Sequence, residues 1–136
     1  MEDAQFLEIA EAIMTHPTAP FHEDAVRSDV ERRLAELPHV SVERDGFGNL
    51  IARYQRGGVS PRLAFVAHMD HPGYVGEQFL GGVPDVYLRK NPATRSFGPF
   101  SMWDLPAFDV RDGVLYSRAC DDLVSVAAMV AMLGEL

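Results

Sequence analysis

Basic residues are scarce in this sequence. Twelve Lys and Arg stand against 20 Asp and Glu, which gives a formal net charge of −8 and a pI near 4.9. Gripping nucleic acid through its phosphates needs a cationic face, and so does adhesion to anionic lipid; the composition argues against both. Cysteine is nearly absent as well. Cys120 stands alone, so no disulfide can close within the chain, and a reducing cytoplasm is the expected compartment. Long apolar runs are missing. The longest, Val126 to Leu133, falls far short of the roughly 20 residues needed to span a bilayer. The first residues, MEDAQFLEIAEAI, begin acidic and lack the cationic-then-apolar order of a secretory signal. What remains, at 136 residues with 47% apolar and 24% charged side chains, is an acidic α/β domain or part of one.

Hydrophobic periodicity divides the chain. Phe6, Leu7, Ile9, Ala10 and Ile13 recur at helical spacing from Asp3 to Met14, and Pro17 and Pro20 stop that helix. Val26, Val30, Leu34 and Leu37 mark a second helix from about Glu23 to Leu37, ended by Pro38. The period then falls to two. Val40 and Val42, then Leu50, Ala52 and Tyr54, flank the turn Asp45-Gly46-Phe47-Gly48-Asn49 and predict a hairpin. The run Arg62 to Ala67 is nearly all apolar and predicts a strand buried on both faces. From His71 to about Asp109 the chain is rich in Gly, Pro and aromatics without sustained period; at most it holds short strands such as Asp85 to Leu88, with Val114 to Tyr116 beyond. Asp121 to Leu136 predicts a helix apolar on almost every face, which needs cover on all sides. The covering layers are expected beyond the last residue, so the domain reads as incomplete.

Two constellations stand where chemistry is possible. Ala67-His68-Met69-Asp70 follows the expected buried strand, and residues two apart on an extended chain face the same way. A metal-bound imidazole usually passes its other N–H to a carboxylate, and the end of a strand is where open α/β sheets bind ligands. On spacing alone, a polar pair opening a loop is the commoner explanation. Asp121 and Asp122 open the last helix, where helix dipole and capping alone account for most such acids. A carboxylate at the rim of the same sheet can also bridge two divalent cations. Cys120 beside two acids is a poor nucleophile and reads as a packed small residue. His16, His22 and His39 sit at turns and read as solvated. Trp103, Phe97, Phe100 and Phe108 suit either a substrate cleft or a plain hydrophobic cluster.

Taken together, VAHMDHPGYV and SRACDDLVSVAAMV resemble the two metal-binding stretches in the N-terminal part of di-metal aminopeptidases of the M42 type. This is the glutamyl aminopeptidase/endoglucanase-like group, related to the M20 and M28 metallopeptidases. PTAPFHE, from Pro17 to Glu23, and Asp45-Gly46-Phe47-Gly48-Asn49-Leu50 resemble two further segments of the family. The likeness runs over most of residues 3–70 and again from about 101 to 136. It implies a three-layer α/β/α sandwich of the zinc-peptidase type, incomplete, with a shortened or missing lid insertion. Residues 1–70 and 108–136 would belong to the catalytic domain and 71–107 to the flanks of the lid. By position, His68 would be a terminal metal ligand, Asp70 the catalytic-site carboxylate that orients it, and Asp121 the ligand shared by two ions, with a cis Asp121–Asp122 bond. The complete enzyme would carry two divalent ions (Zn²⁺ or Co²⁺), act on peptide substrates and form a homo-oligomer.

Three departures qualify the likeness. The Glu-Glu pair, Asp and His that complete such sites would lie beyond Leu136, so this chain is expected to bind metal weakly or not at all and to be inactive alone. His71 stands where the pattern usually has Glu. Only residues 71–120 separate the two metal stretches, where the family inserts a whole β-rich domain. The alternatives are a non-catalytic binding or regulatory module on half of the scaffold, and an amidohydrolase of N-acyl amino acids as in the M20 family.

Overall fold

A computed structural model describes residues 2–58, 63–81 and 93–136. Helix α1, Asp3–Met14, presents Ala10, Ile13 and Met14 as a buried stripe. Its last turn is closed by the Thr15 hydroxyl, which donates to the Glu11 carbonyl at 2.8 Å. Helix α2, Asp24–Ala35, buries Val26, Val30 and Leu34 at helical spacing. Asp24 in its first turn and Arg32 and Arg33 in its last both complement the helix dipole. Asp29 is held between Arg32, Arg33 and His16. Burial opposes ionisation of its carboxyl, but the hydrogen bonds from the two arginines outweigh that and leave its pKa lowered.

The hairpin forms as expected. Strand β1, Val40–Arg44, pairs antiparallel with β2, Leu50–Tyr54, with Val40 opposite Tyr54 and Arg44 opposite Leu50. Asp45 builds the turn: one carboxylate oxygen accepts the N–H groups of Phe47 (2.9 Å) and Asn49 (2.8 Å), and the other accepts the Asn49 side-chain amide. Four three-residue strands then form a sheet of their own: β3 (Gly73–Val75), β4 (Gln78–Leu80), β5 (Thr94–Ser96) and β6 (Ser101–Trp103), in spatial order β4-β3-β6-β5 and antiparallel throughout. Gly73 cannot be replaced there, because a Cβ would lie 2.8 Å from the Ser101 carbonyl and 2.9 Å from Ala19 Cβ. A last hairpin pairs β7, Asp109–Arg111, with β8, Val114–Tyr116. Helix α3, Cys120–Glu135, ends the chain.

The fold is mixed α/β. Its main core joins the three helices, with Leu123, Val126, Ala127 and Val130 of α3 meeting the buried stripes of α1 and α2. Among the described residues the helices pack chiefly on one another and, through α2, on the first hairpin. A smaller core joins Ala19, Phe100 and Met102, with Phe97 against it. None of the helices is long and apolar enough to cross a membrane among the described residues.

One expectation fails on burial. The run 63–67 is neither strand nor buried: Leu63 is 78% exposed and Val66 91%, and Phe65 is exposed too. Among the described residues no strand pairs with it, so its apolar side chains find neither ladder nor cover. Among the described residues helix α3 is covered on one stripe, with Ala128 exposed and Val124, Met129 and Met132 half-buried. The expected strand Asp85–Leu88 lies outside the described residues. The aromatics resolve as packing. Phe97 stacks on Phe100, Trp103 on Phe79, and Phe108 and Cys120 join the main core. His16 and His22 are not simply solvated, since His16 reaches Asp29 at 3.4 Å and His22 stacks on Phe100. Urea unfolding separates the two kinds of apolar residue. Leu123→Ala should cost about 2–5 kcal/mol, whereas Val66→Ala should stay within about 0.5 kcal/mol, as an exposed position does.

Candidate metal centre

The segment that carries His68 is held from below by a buried threonine. Thr18 is fully buried, and its hydroxyl donates to the Met69 carbonyl at 2.7 Å. Ala67 and Met69 pack against the main core, which leaves His68 facing outward. From the other side, α3 begins with two residues of non-helical geometry, Asp121 and Asp122, joined by a cis peptide bond as the resemblance implied. Regular helix starts at Leu123, whose N–H donates to the Ala119 carbonyl at 3.1 Å. The Asp121 side chain is 95% exposed and reaches His68 instead of capping the helix.

These two elements place the three expected site residues together. His68 Nε2 lies 3.1 Å from Asp121 Oδ1. On the other edge of the ring, Nδ1 lies 3.2 Å from Asp70 Oδ1 and 3.1 Å from the Asp70 carbonyl oxygen. Burial lowers the His68 pKa, but the Asp121 hydrogen bond and the charge of Asp70 outweigh it, so the net shift is upward. An imidazolium satisfies both edges of the ring, Nε2–H donating to the Asp121 carboxylate and Nδ1–H to the Asp70 carbonyl oxygen, with the Asp70 carboxylate alongside. With Nδ1–H committed to Asp70, the proton on Nε2 is the one a cation would replace.

The geometry of the pair fits a shared ion. Zinc bonds of about 2.1 Å at tetrahedral angles hold two ligand atoms about 3.4 Å apart, close to the 3.1 Å between His68 Nε2 and Asp121 Oδ1. The number of donors does not suffice. A catalytic zinc takes about three protein ligands, and no group of three or more His, Cys, Asp or Glu side chains is placed to hold a metal among the described residues.

Beside the pair lies His71, which sequence reading left without a role. Its ring packs edge-on against Trp103, with centroids 6.4 Å apart. Both of its ring nitrogens are buried without a hydrogen-bond partner, and so is Nε of Arg118. Each such orphan costs about 1–3 kcal/mol. Burial, and then the charge of Arg118, push the His71 pKa down to about 4. Arg118 was not legible as a site residue at all, because a single arginine three positions before Asp121 has no distinguishing pattern in the sequence. Thr18 was missed for the same reason. No family model, curated protein or solved structure matches the chain.

The His71 shift fixes a pH window. With a folded pKa of about 4 against about 6.5 in the unfolded chain, the unfolded state binds the extra proton between those values. Stability therefore falls as pH drops from about 6.5 towards 4, by an amount on the order of 3 kcal/mol from this residue. His68 acts in the opposite sense and in a higher window, its contribution being lost as pH rises through its raised folded pKa. Denaturant melts of the parent and His71→Phe at pH 4 and pH 7 should show the acid-side loss in the parent and its near-disappearance in the variant.

Proposed function

We propose that this chain is the N-terminal part of a co-catalytic di-metal aminopeptidase, hydrolysing N-terminal residues from peptides, and that alone it is inactive. The observation that carries the reading is the His68–Asp121 contact of 3.1 Å with Asp70 behind the ring, three residues from two distant stretches meeting in the order a metal site requires. In the complete enzyme, of the three-layer α/β/α zinc-peptidase class, His68 would hold one ion and Asp121 would be shared by two. Asp70 would fix the His68 tautomer. Zn²⁺ or Co²⁺ bound there supplies Lewis-acid polarisation of a carbonyl and an activated water. The general base and the remaining ligands would have to be supplied from outside these 136 residues. The enzyme would be cytoplasmic, take a peptide with a free amine and form a homo-oligomer.

The four-stranded sheet of residues 73–103 lies between His68 and Asp121. An insertion there, before the metal helix, supports this reading over an N-acyl amino acid amidohydrolase, whose second domain follows that helix. The shortage of donors supports a second reading, a non-catalytic module on half of the scaffold. The natural gene product, expressed from its own start to its own stop codon, decides between them. The aminopeptidase reading expects a product longer than this chain that cleaves aminoacyl anilides in the presence of Co²⁺ or Zn²⁺. In it, Asp70→Asn should weaken metal binding about 10–100-fold. Cleavage of N-acyl amino acids alone would support the amidohydrolase, and a natural product of 136 residues with no activity would support the module.

A further inference from the structure

The three orphaned nitrogens of His71 and Arg118 belong to one neighbourhood. The charges of Arg118, Asp70, Asp121 and His68 all act on His71, so its ring lies within electrostatic range of both the guanidinium and the candidate metal pair. Arg118 is anchored without being neutralised. Its Nη2 donates to the Thr15 carbonyl at 3.2 Å, its backbone N–H donates to the Pro106 carbonyl at 2.7 Å, and its guanidinium lies over the Phe97 ring at 5.8 Å. Arg95 lies over the same ring at 5.5 Å, adding a second positive charge. The charge of Asp104 reaches Arg118, but Arg118 makes no ion pair among the described residues.

A buried guanidinium N–H and an imidazole N–H with no acceptor call for an acceptor that carries negative charge. The fork of an arginine matches a carboxylate in shape as well as in charge. We propose that His71 and Arg118 form a subsite for a carboxylate beside the His68–Asp121 pair. The three nitrogens are closed to water in this structure, so the carboxylate reaches them by displacing the His71 ring from the edge of Trp103. Placing that carboxylate on a peptide rests on the aminopeptidase reading; the subsite itself does not. On a peptide the group is either the terminal carboxylate of a short substrate or an acidic side chain.

Trp103 is the single tryptophan of the chain, so its fluorescence reports the movement, together with the ring ¹⁵N signals of His71. The 136-residue protein is titrated with acetate, glycylglycine, glycylglycinamide and α-glutamylglycinamide, whose one carboxylate is the glutamate side chain. Acetate should give a saturable change and glycylglycinamide none. Tighter binding of glycylglycine than of acetate assigns the terminal carboxylate, and tighter binding of glutamylglycinamide assigns the acidic side chain. Arg118→Gln should weaken the response at least about 10-fold, as loss of a charged hydrogen bond does. His71→Glu gives Arg118 an internal carboxylate, so it should abolish the response and raise the melting temperature; it also tests the idea if Arg118→Gln fails to fold. Equal responses to acid and amide, no saturable response to any carboxylate, or an unchanged response in the folded variants would overturn the subsite. Metal titration is a separate readout. An intact carboxylate response in a longer natural gene product that binds no metal at His68 and Asp121 would reject the peptidase reading and leave the subsite standing.

Discussion

The seam between α1 and α3 is the constraint on which the rest depends. Among the described residues these two helices share an extensive contact, with Ala10, Ile13 and Met14 of one and Leu123, Val126 and Ala127 of the other in a single buried cluster. Burying such side chains contributes on the order of 1.5–3 kcal/mol each, and the geometry of the burial fixes where α3 begins. Its first residues are therefore delivered to the loop that leaves α1. There Thr18 ties that loop to the carbonyl of Met69. Asp121 and His68 come within hydrogen-bond distance because two nonpolar helix faces and one buried hydroxyl leave them little choice.

The polar groups at this junction fall into two sets with opposite needs. His68 is flanked by carboxylates on both ring edges, an arrangement that favours a cation at Nε2. His71 and Arg118 lack any acceptor, which favours an anion. Under the proposed function, a cation at the first set and an anion at the second would suit a substrate that presents a carbonyl and a carboxylate close together. In a folded protein buried donors rarely stay unpaired without such a reason.

What was legible in the sequence was local. The α1 stripe, the α2 stripe and the Asp45 turn each depend on residues within a few positions, and all three form where expected. The meeting of His68, Asp70 and Asp121 was reached only through resemblance, since His-x-Asp and Asp-Asp have commoner explanations taken singly. What failed was non-local. The apolar run 63–67 has the composition of a buried strand, but burial depends on a neighbouring strand that the described residues do not supply. Strands of three residues, as in the sheet of residues 73–103, are too short to show a period. The partnerless state of His71 and Arg118 is a property of the packed fold, because both residue types are ordinarily satisfied by water or by a carboxylate.

The most direct test of the central claim is where a metal ion binds on this chain. Co²⁺ titrated into the 136-residue protein broadens the NMR signals of nearby residues, and the pattern locates the ion. The account predicts weak binding, with broadening centred on His68 and Asp121, extending to Asp70, and absent in His68→Ala. Broadening centred elsewhere, or a pattern unchanged in His68→Ala, would contradict it.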